Sequence, residues 1–600
     1  MPQTQIKFLQ EMSILTNISS PFDLKALSIA ELKLLAAEIR AKIVSVMEAN
    51  GGHLSSNLGS VELTLALHYV FDSPFDKLIF DTSHQTYAHK IITGRKDLFS
   101  TIRMFQGLSG FANPEESVHD HFYAGHAGTG LSLALGVATS RDLNGGSEYV
   151  IPIISDAPLA CGLTLEALNH IPKHLQKFIL ILNDNAMAIS HGVGTIHNHI
   201  LGEEKGEEFF KQFNFNYIGP VDGHDLEKLI FALRKAKLQG GPVVLHAFTI
   251  KGFGIEEAVK DPIGYHGVKP IYAPTPSKPT FPKIFGKHLL TMAETDSSVV
   301  AITPAMSAGS CLDSFMKKFP ERCFDVGIAE GHAVTFAGGL AYGGNLKVFC
   351  CVYATFFQRA LDNLFQDVCL QNLPVVFALD RGGLSPSDGT THHGVFDIGF
   401  LYAMPNMVIA QPRNGDLLKD LLESAFHWER TVAIRYPNMQ TNETARKAIQ
   451  RPLGKGEILV KGKEIVLIAL GHMCTVAADV CKILLEYEIE ASVVDPIFIK
   501  PLDTSLLFTL MMDHRYFVTI EEHSITTGLG MAINSFLAQS GFTNIQVQNF
   551  GIPDQFIEQG SYEELMETVG LTPLKIAAQI LERFSLKQPL RAYEKHRNLS

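Results

Sequence analysis

The feature that most constrains this chain is a short apolar run that recurs with helix-length stretches between its copies. The runs are VIPII from 150, FILILND from 178, PVVLHAF from 242, VVAITPA from 299, KVFCCVY from 347, PVVFALD from 374, MVIAQP from 407, TVAIRYP from 431, EIVLIALG from 464, ASVVDPIF from 491 and YFVTIEE from 516. Parallel strands need a crossover of a dozen or more residues, usually a helix, so this alternation predicts parallel α/β sheets buried on both faces. At 600 residues the chain exceeds what one hydrophobic core can serve. The Pro-rich stretch YAPTPSKPTFPK (272–283) reads as an extended linker, because proline and the residue before it resist helix. A second shift falls at 442–457. The prediction is an α/β protein of three domains, 1–270, 284–440 and 455–600, each a mostly parallel sheet flanked by helices.

Composition excludes more than it identifies. Acidic side chains outnumber basic ones, 62 to 50, which argues against a nucleic-acid surface. The eight cysteines lie mostly in apolar runs without CxxC pairing, the pattern of reduced core residues in a cytoplasmic protein. The amino terminus lacks the basic start and apolar block of a signal peptide, and no run of about 18 apolar residues suggests a membrane span.

Four constellations carry chemistry. Asp156 ends the first strand of a βαβ unit and Asn185 ends the second, which places two oxygen donors at the carboxyl edge of a parallel sheet, where open α/β folds bind ligands. With a main-chain carbonyl such as that of Met187 they suit Mg²⁺ and a phosphate group; an Asp that merely caps the following helix is the bland alternative. In FDVGIAEGHAVTFAGGLA (324–341), Glu330 is either a first-turn acid favoured by the helix dipole or a buried acid able to donate a proton to a cofactor nitrogen. Histidines beside glycine, or close to one, recur at His53, His84, His89, His126, His266, His392 and His393; singly each is ordinary, but together they suggest acid/base and hydrogen-bonding groups on loops. Arg359, Arg381 and Arg435 lie at or near strand ends, as candidates for a phosphate or carboxylate clamp or as plain surface ion pairs.

Taken in order, GGHLSSNLGSVELTLALHYVFDSPFDKLIFDTSHQTYAHKIITGRKDLFSTIR, NFNYIGPVDGHD, AITPAMSAGS, FPERCFDVGIAEGHAVTFAGGLA, YATFFQRALDN, DRGGLSPSDGTTHHGVFD and VVDPIFIKPLD resemble the 1-deoxy-D-xylulose-5-phosphate synthase family of the transketolase superfamily, from about residue 20 to 580. The resemblance implies a transketolase-like fold, a homodimer, thiamine diphosphate and Mg²⁺ as cofactors, and the decarboxylative joining of pyruvate to D-glyceraldehyde 3-phosphate. It implies that Glu330 contacts the aminopyrimidine and that Phe356 stacks on it. His84, Gly125, His126, Ala127, Asp156, Ala157, Pro158, Asn185 and Ile255 fall at cofactor-binding positions, with Asp156, Asn185 and Met187 on the metal. His53, His266, His392 and Asp388 fall near the reacting atoms. Tyr353, Arg103, Arg359, Arg381 and Arg435 fall on the substrates, with Arg381 and Arg435 as the phosphate clamp.

The sequence also departs from the family pattern. Ser155-Asp156-Ala157-Pro158 stands where the family has Gly-Asp-Gly and a residue with a free N–H, so a methyl group is added and a backbone donor is lost beside the diphosphate. Ile255 replaces a Tyr, Gly331 replaces a Gln, and only seven residues separate HNH (197–199) from EEFFKQFNFNYIGP, where the family carries a longer segment. Two other readings follow: a weakly active or inactive paralogue acting as a binding subunit, and an enzyme using a different aldehyde acceptor.

Overall fold

The computed structural model describes residues 13–187, 194–196, 203–272 and 276–584. The chain forms two compact units. One is its amino-terminal part together with Asp325–Ala329 and Glu558–Gly560; the other comprises Pro276–Phe324, Glu330–Ile557 and the carboxyl-terminal part.

The first unit is built on a five-stranded sheet of β1 (Lys77–Phe80), β2 (Val150–Ser155), β3 (Ile179–Asp184), β4 (Asn216–Asp222) and β5 (Val243–Phe248), in the order β1-β2-β3-β5-β4. Every neighbouring pair is parallel. Because side chains alternate across a strand, Ile151, Ile153, Ile179 and Ile181 join one core with residues of helices 29–50, 61–70 and 226–237, while Val150, Ile154, Leu180 and Leu182 join another with residues of helices 130–143 and 162–169. The helix Ile29–Asn50 starts at a capping box, in which Ser28 accepts from the Glu31 amide and Glu31 reaches back to the Ser28 amide (2.7 Å).

The second unit carries β6 (Val299–Thr303), β7 (Cys323–Asp325), β8 (Lys347–Tyr353), β9 (Val375–Asp380), β10 (Met407–Ala410), β11 (Thr431–Tyr436), β12 (Glu457–Val460), β13 (Glu464–Ala469), β14 (Ser492–Asp495), β15 (Phe498–Lys500), β16 (His514–Ser524) and β17 (Gln546–Ile552). They form a seven-stranded sheet, β15-β10-β11-β9-β8-β6-β7, and a five-stranded sheet, β12-β14-β13-β16-β17. Strands β15 and β12 run antiparallel to their neighbours, whereas β10-β11-β9-β8-β6 in the first of these sheets and β14-β13-β16-β17 in the second are parallel.

All eleven apolar runs fall in strands. The linker reading needs correction at its end: residues 276–280 are non-helical, but a helix starts at Phe281. Pro282 sits in its first turn, where the missing N–H would have no intrahelical partner in any case. Six of the eight cysteines are buried. Among the described residues no helix is long and apolar enough to cross a membrane.

Candidate active site

In the first unit the predicted donors collect at the carboxyl ends of β1, β2 and β3. Asp156 follows β2 and is 4% exposed. Burial, with the Asp184 carboxylate adding to it, pushes its carboxyl up to about 7 against the pull of nearby backbone amides and Lys251. Lys251, just beyond β5, is pushed down to about 8 by burial, with Asp156 opposing. Capping does not explain Asp156, because its side chain makes no cap hydrogen bond to the turn Ala157–Ala160. The loop after β3 is held by two consecutive Asx turns: Ala186 N–H donates to Asp184 Oδ1 (3.0 Å) and Met187 N–H to Asn185 Oδ1 (3.1 Å).

The loop that carries Gly125, His126 and Ala127 is held by Asp81, the residue after β1. Its carboxylate accepts from the amides of Gly128 and Gly130, at 2.9 Å each. Gly128 has φ +89°, and a Cβ there would lie 2.4 Å from Cys161 Sγ, so only glycine fits. Ile255 packs against the unit's core.

The histidines of this unit form a triangle. Ring centroids are 5.3 Å apart for His53–His84, 5.3 Å for His53–His266 and 5.5 Å for His84–His266. Asn57 sets two of its corners by donating to the carbonyls of His53 (2.7 Å) and His84 (2.8 Å), while its own carbonyl accepts from Tyr87 N–H (2.9 Å). Arg103 Nη1 lies 3.4 Å from His53 Nδ1, and Ser56 Oγ lies 3.3 Å from His266 Nδ1. His89 belongs elsewhere: it is buried between His68 (2.8 Å) and Asp120 (2.8 Å).

In the second unit Glu330 begins the helix Glu330–Ala341 and is 3% exposed, with Arg359 Nη1 donating to its Oε2 at 3.1 Å. Phe356 stacks with Tyr353 (5.7 Å, 17°) and meets His392 edge-on (5.4 Å, 79°). Thr355 Oγ1 donates to the Thr391 carbonyl at 3.0 Å, which ties the loop after β8 to the one bearing His392. Arg381, just after β9, lies over the Tyr353 ring at 3.8 Å and is bonded to Asp380. Burial pushes the Tyr353 phenol up to about 12, with Arg381 opposing and Asp380 and Asp388 adding to it, so these groups share one electrostatic neighbourhood.

Arg435 departs from its expected clamp role. It is fully buried and its guanidinium donates to Asp397 Oδ2 (2.7 Å), Gln411 Oε1 (2.6 Å) and the Gly394 carbonyl (2.7 Å), so it would have to exchange a partner to reach a ligand. A Cβ at Gly331 would lie 2.9 Å from Asn363 Oδ1. The shortened segment after HNH falls in part at 200–202, outside the described residues. Asn57, Asp81 and Lys251 were not singled out by sequence reasoning; Asp81 and Lys251 follow strands, the signal that did mark Asp156.

Parallel sheets with these groups at their carboxyl ends define an α/β enzyme, and comparison with known proteins gives its type. Residues 15–207 and 202–249 match the family model described as 1-deoxy-D-xylulose-5-phosphate synthase, in two pieces that meet beside the shortened segment. Residues 277–443 match the transketolase pyrimidine-binding domain and 454–576 the transketolase C-terminal domain. The 1-deoxy-D-xylulose-5-phosphate synthase of Chlamydia trachomatis serovar D is 46% identical over 96% of this chain and 98% of its own length. That of Chlamydia pneumoniae is 46% identical over 96% and 97%. Among solved structures, the transketolase of Leishmania mexicana aligns over 94% of this chain and 99% of that one at 16% identity, with TM-score 0.45. The chain belongs to the 1-deoxy-D-xylulose-5-phosphate synthase family and is a transketolase-type transferase.

Proposed function

We propose that the chain joins pyruvate to D-glyceraldehyde 3-phosphate, releasing CO₂ and forming 1-deoxy-D-xylulose 5-phosphate, with thiamine diphosphate and Mg²⁺. The observation that carries this is Glu330: a buried carboxylate at a helix start, braced by Arg359, in a chain 46% identical to curated synthases along nearly its whole length. When bound, thiamine diphosphate supplies a thiazolium carbon that attacks the keto acid and then stores the electron pair left by CO₂.

The residues fit these groups by their chemistry. Asp156 is a carboxylate that burial destabilises, and a divalent cation would relieve that penalty. Asn185 Oδ1 and the Met187 carbonyl complete a set of oxygen donors suited to Mg²⁺. Lys251, His84 and the backbone of Gly125–Ala127 would hold the diphosphate, and Ile255 would pack beside the cofactor. Arg359 occupies Glu330 Oε2, so Oε1 is the atom at which Glu330 would exchange a proton with the aminopyrimidine. Phe356 offers the aromatic face for that ring. His53, His266 and His392 would hold or pass protons at the reacting carbons, while Arg103, Tyr353, Asp388 and Arg381 would orient the substrates. Arg435 would serve by holding Asp397 and Gly394. A homodimer, a cytoplasmic location and a three-domain division belong to the same reading.

Carboxyl-labelled pyruvate tests it. Labelled CO₂ should appear in proportion to added D-glyceraldehyde 3-phosphate, and only with thiamine diphosphate and Mg²⁺ present. Release that is indifferent to the aldehyde would overturn the assignment of acceptor.

A further inference from the structure

The loop from Arg381 to Asp388 is gripped by a group from the other sheet of the same unit. Glu522, on β16, is 1% exposed. Its Oε1 accepts from Leu384 N–H at 2.5 Å, midway along the loop. Its Oε2 accepts from the Tyr562 hydroxyl at 2.7 Å and is bonded to His472 Nε2. Gly383 has φ +118°, and a Cβ there would lie 2.7 Å from Glu522 Oε1, so glycine is what lets the carboxylate reach the loop.

The same contacts close into a ring. Gln411 Nε2 lies 3.3 Å from His472 Nδ1, and Gln411 Oε1 accepts from Arg435 Nη1 at 2.6 Å. Arg435 Nη2 donates to the Gly394 carbonyl at 2.7 Å, and Gly394 and Gly383 exchange both backbone hydrogen bonds at 2.8 Å. The direction of the ring is fixed at both ends, because arginine can only donate and an ionised carboxylate can only accept. Between them, Gln411 Nε2 faces His472 Nδ1, and His472 Nε2 faces Glu522. Burial raises the Glu522 carboxyl, but His472, Tyr562 and the Leu384 amide outweigh it and hold the group below the ordinary glutamate value.

We infer that Glu522, held by His472 and Tyr562, is a positioning residue that sets the Arg381–Asp388 loop for the phosphorylated acceptor. This rests on the reading above that the loop binds that acceptor. An amide in place of the carboxylate turns one of its two acceptors into a donor, so at least one of the three groups around it loses its acceptor. Glu522→Gln should raise the KM for D-glyceraldehyde 3-phosphate about tenfold, while the KM for pyruvate and the thiamine diphosphate affinity stay within about twofold. Tyr562→Phe, which keeps the carboxylate and the packing, should raise the same KM about threefold and carries the test if the first variant does not fold. Arg381→Ala, measured alongside, separates the two ideas. If it raises the acceptor KM and the Glu522 and Tyr562 variants do not, or if they shift both substrate KM values equally, the positioning role is overturned. If Arg381→Ala leaves the acceptor KM unchanged, the assignment of the loop is what fails.

Discussion

Exchanging Ala157 and Pro158 for Gly and Ala probes one of the points at which the sequence departs from the family pattern. The turn Ala157–Ala160 starts at Asp156, and its first three positions are Ala157, Pro158 and Leu159. The Leu159 amide is committed to the Asp156 carbonyl at 3.1 Å, and Pro158 has no N–H, which leaves Ala157 to supply the one amide from this edge. Pro158→Ala restores a second donor, and Ala157→Gly removes the methyl group that limits close approach. One hydrogen bond to a charged group contributes about 1.5–3 kcal/mol, so the double variant should bind thiamine diphosphate about 10- to 150-fold more tightly. The assay is activity against thiamine diphosphate concentration at fixed Mg²⁺, for parent and variant. Saturating cofactor should bring the two rates together, because mass action masks a binding defect. Equal apparent affinities would refute the reasoning, since they would mean that this amide position does not face the diphosphate.

Three further outcomes follow from the same structure. Glu330→Gln should lower turnover at least about 100-fold with the melting temperature unchanged, because an amide at Oε1 cannot cycle a proton; more than a tenth of parental activity would contradict the assignment. Asp156→Ala should abolish the Mg²⁺ dependence of thiamine diphosphate binding in calorimetry, and an unaltered affinity would remove Asp156 from the metal site. His523 should make the fold acid-sensitive. Burial holds its imidazole down to about 4, and Nε2 accepts from Ile398 N–H at 3.1 Å, which a protonated ring cannot do. The unfolded chain takes up this proton near 6.5 and the folded chain near 4, so the contribution is present above 6.5 and is lost as pH falls through that window, to about 3 kcal/mol. His523→Gln should flatten that limb of a denaturation series; an unchanged slope would assign the acid sensitivity to other groups.

What could be read from the sequence divides along a physical line. The eleven strands marked by apolar runs lie inside their sheets, where both faces are covered and nearly every residue must be apolar. The six that the runs do not mark, β1, β4, β7, β12, β15 and β17, are the six sheet edges. Edge strands lose the signal because they are short, like the three-residue β7 and β15, or half-exposed, like Glu457–Val460 and Asn216–Asp222. The site follows a similar rule. Asp156 stood out because it follows an apolar run, Glu330 because it precedes a helix-like one, and the histidines because glycines recur beside them, while the resemblance gave these residues their roles. Asn57 and Asp81 act by holding backbone of distant loops, His53 with His84 and Gly128 with Gly130, a role with no local pattern. Arg435 was legible as a strand-end cation, but the Gly394, Asp397 and Gln411 groups that engage it come from two other segments.

The central claim is that this chain, with its altered turn after β2, is a working synthase. Its most direct test is to identify the product by carbon-13 NMR and mass spectrometry after incubating the purified protein with [2-¹³C]pyruvate, D-glyceraldehyde 3-phosphate, Mg²⁺ and saturating thiamine diphosphate. The account predicts 1-deoxy-D-xylulose 5-phosphate, labelled at its ketone carbon and equimolar with the CO₂ released. Folded protein that leaves pyruvate unconsumed under these conditions, or that converts it without incorporating the phosphorylated aldehyde, would contradict it.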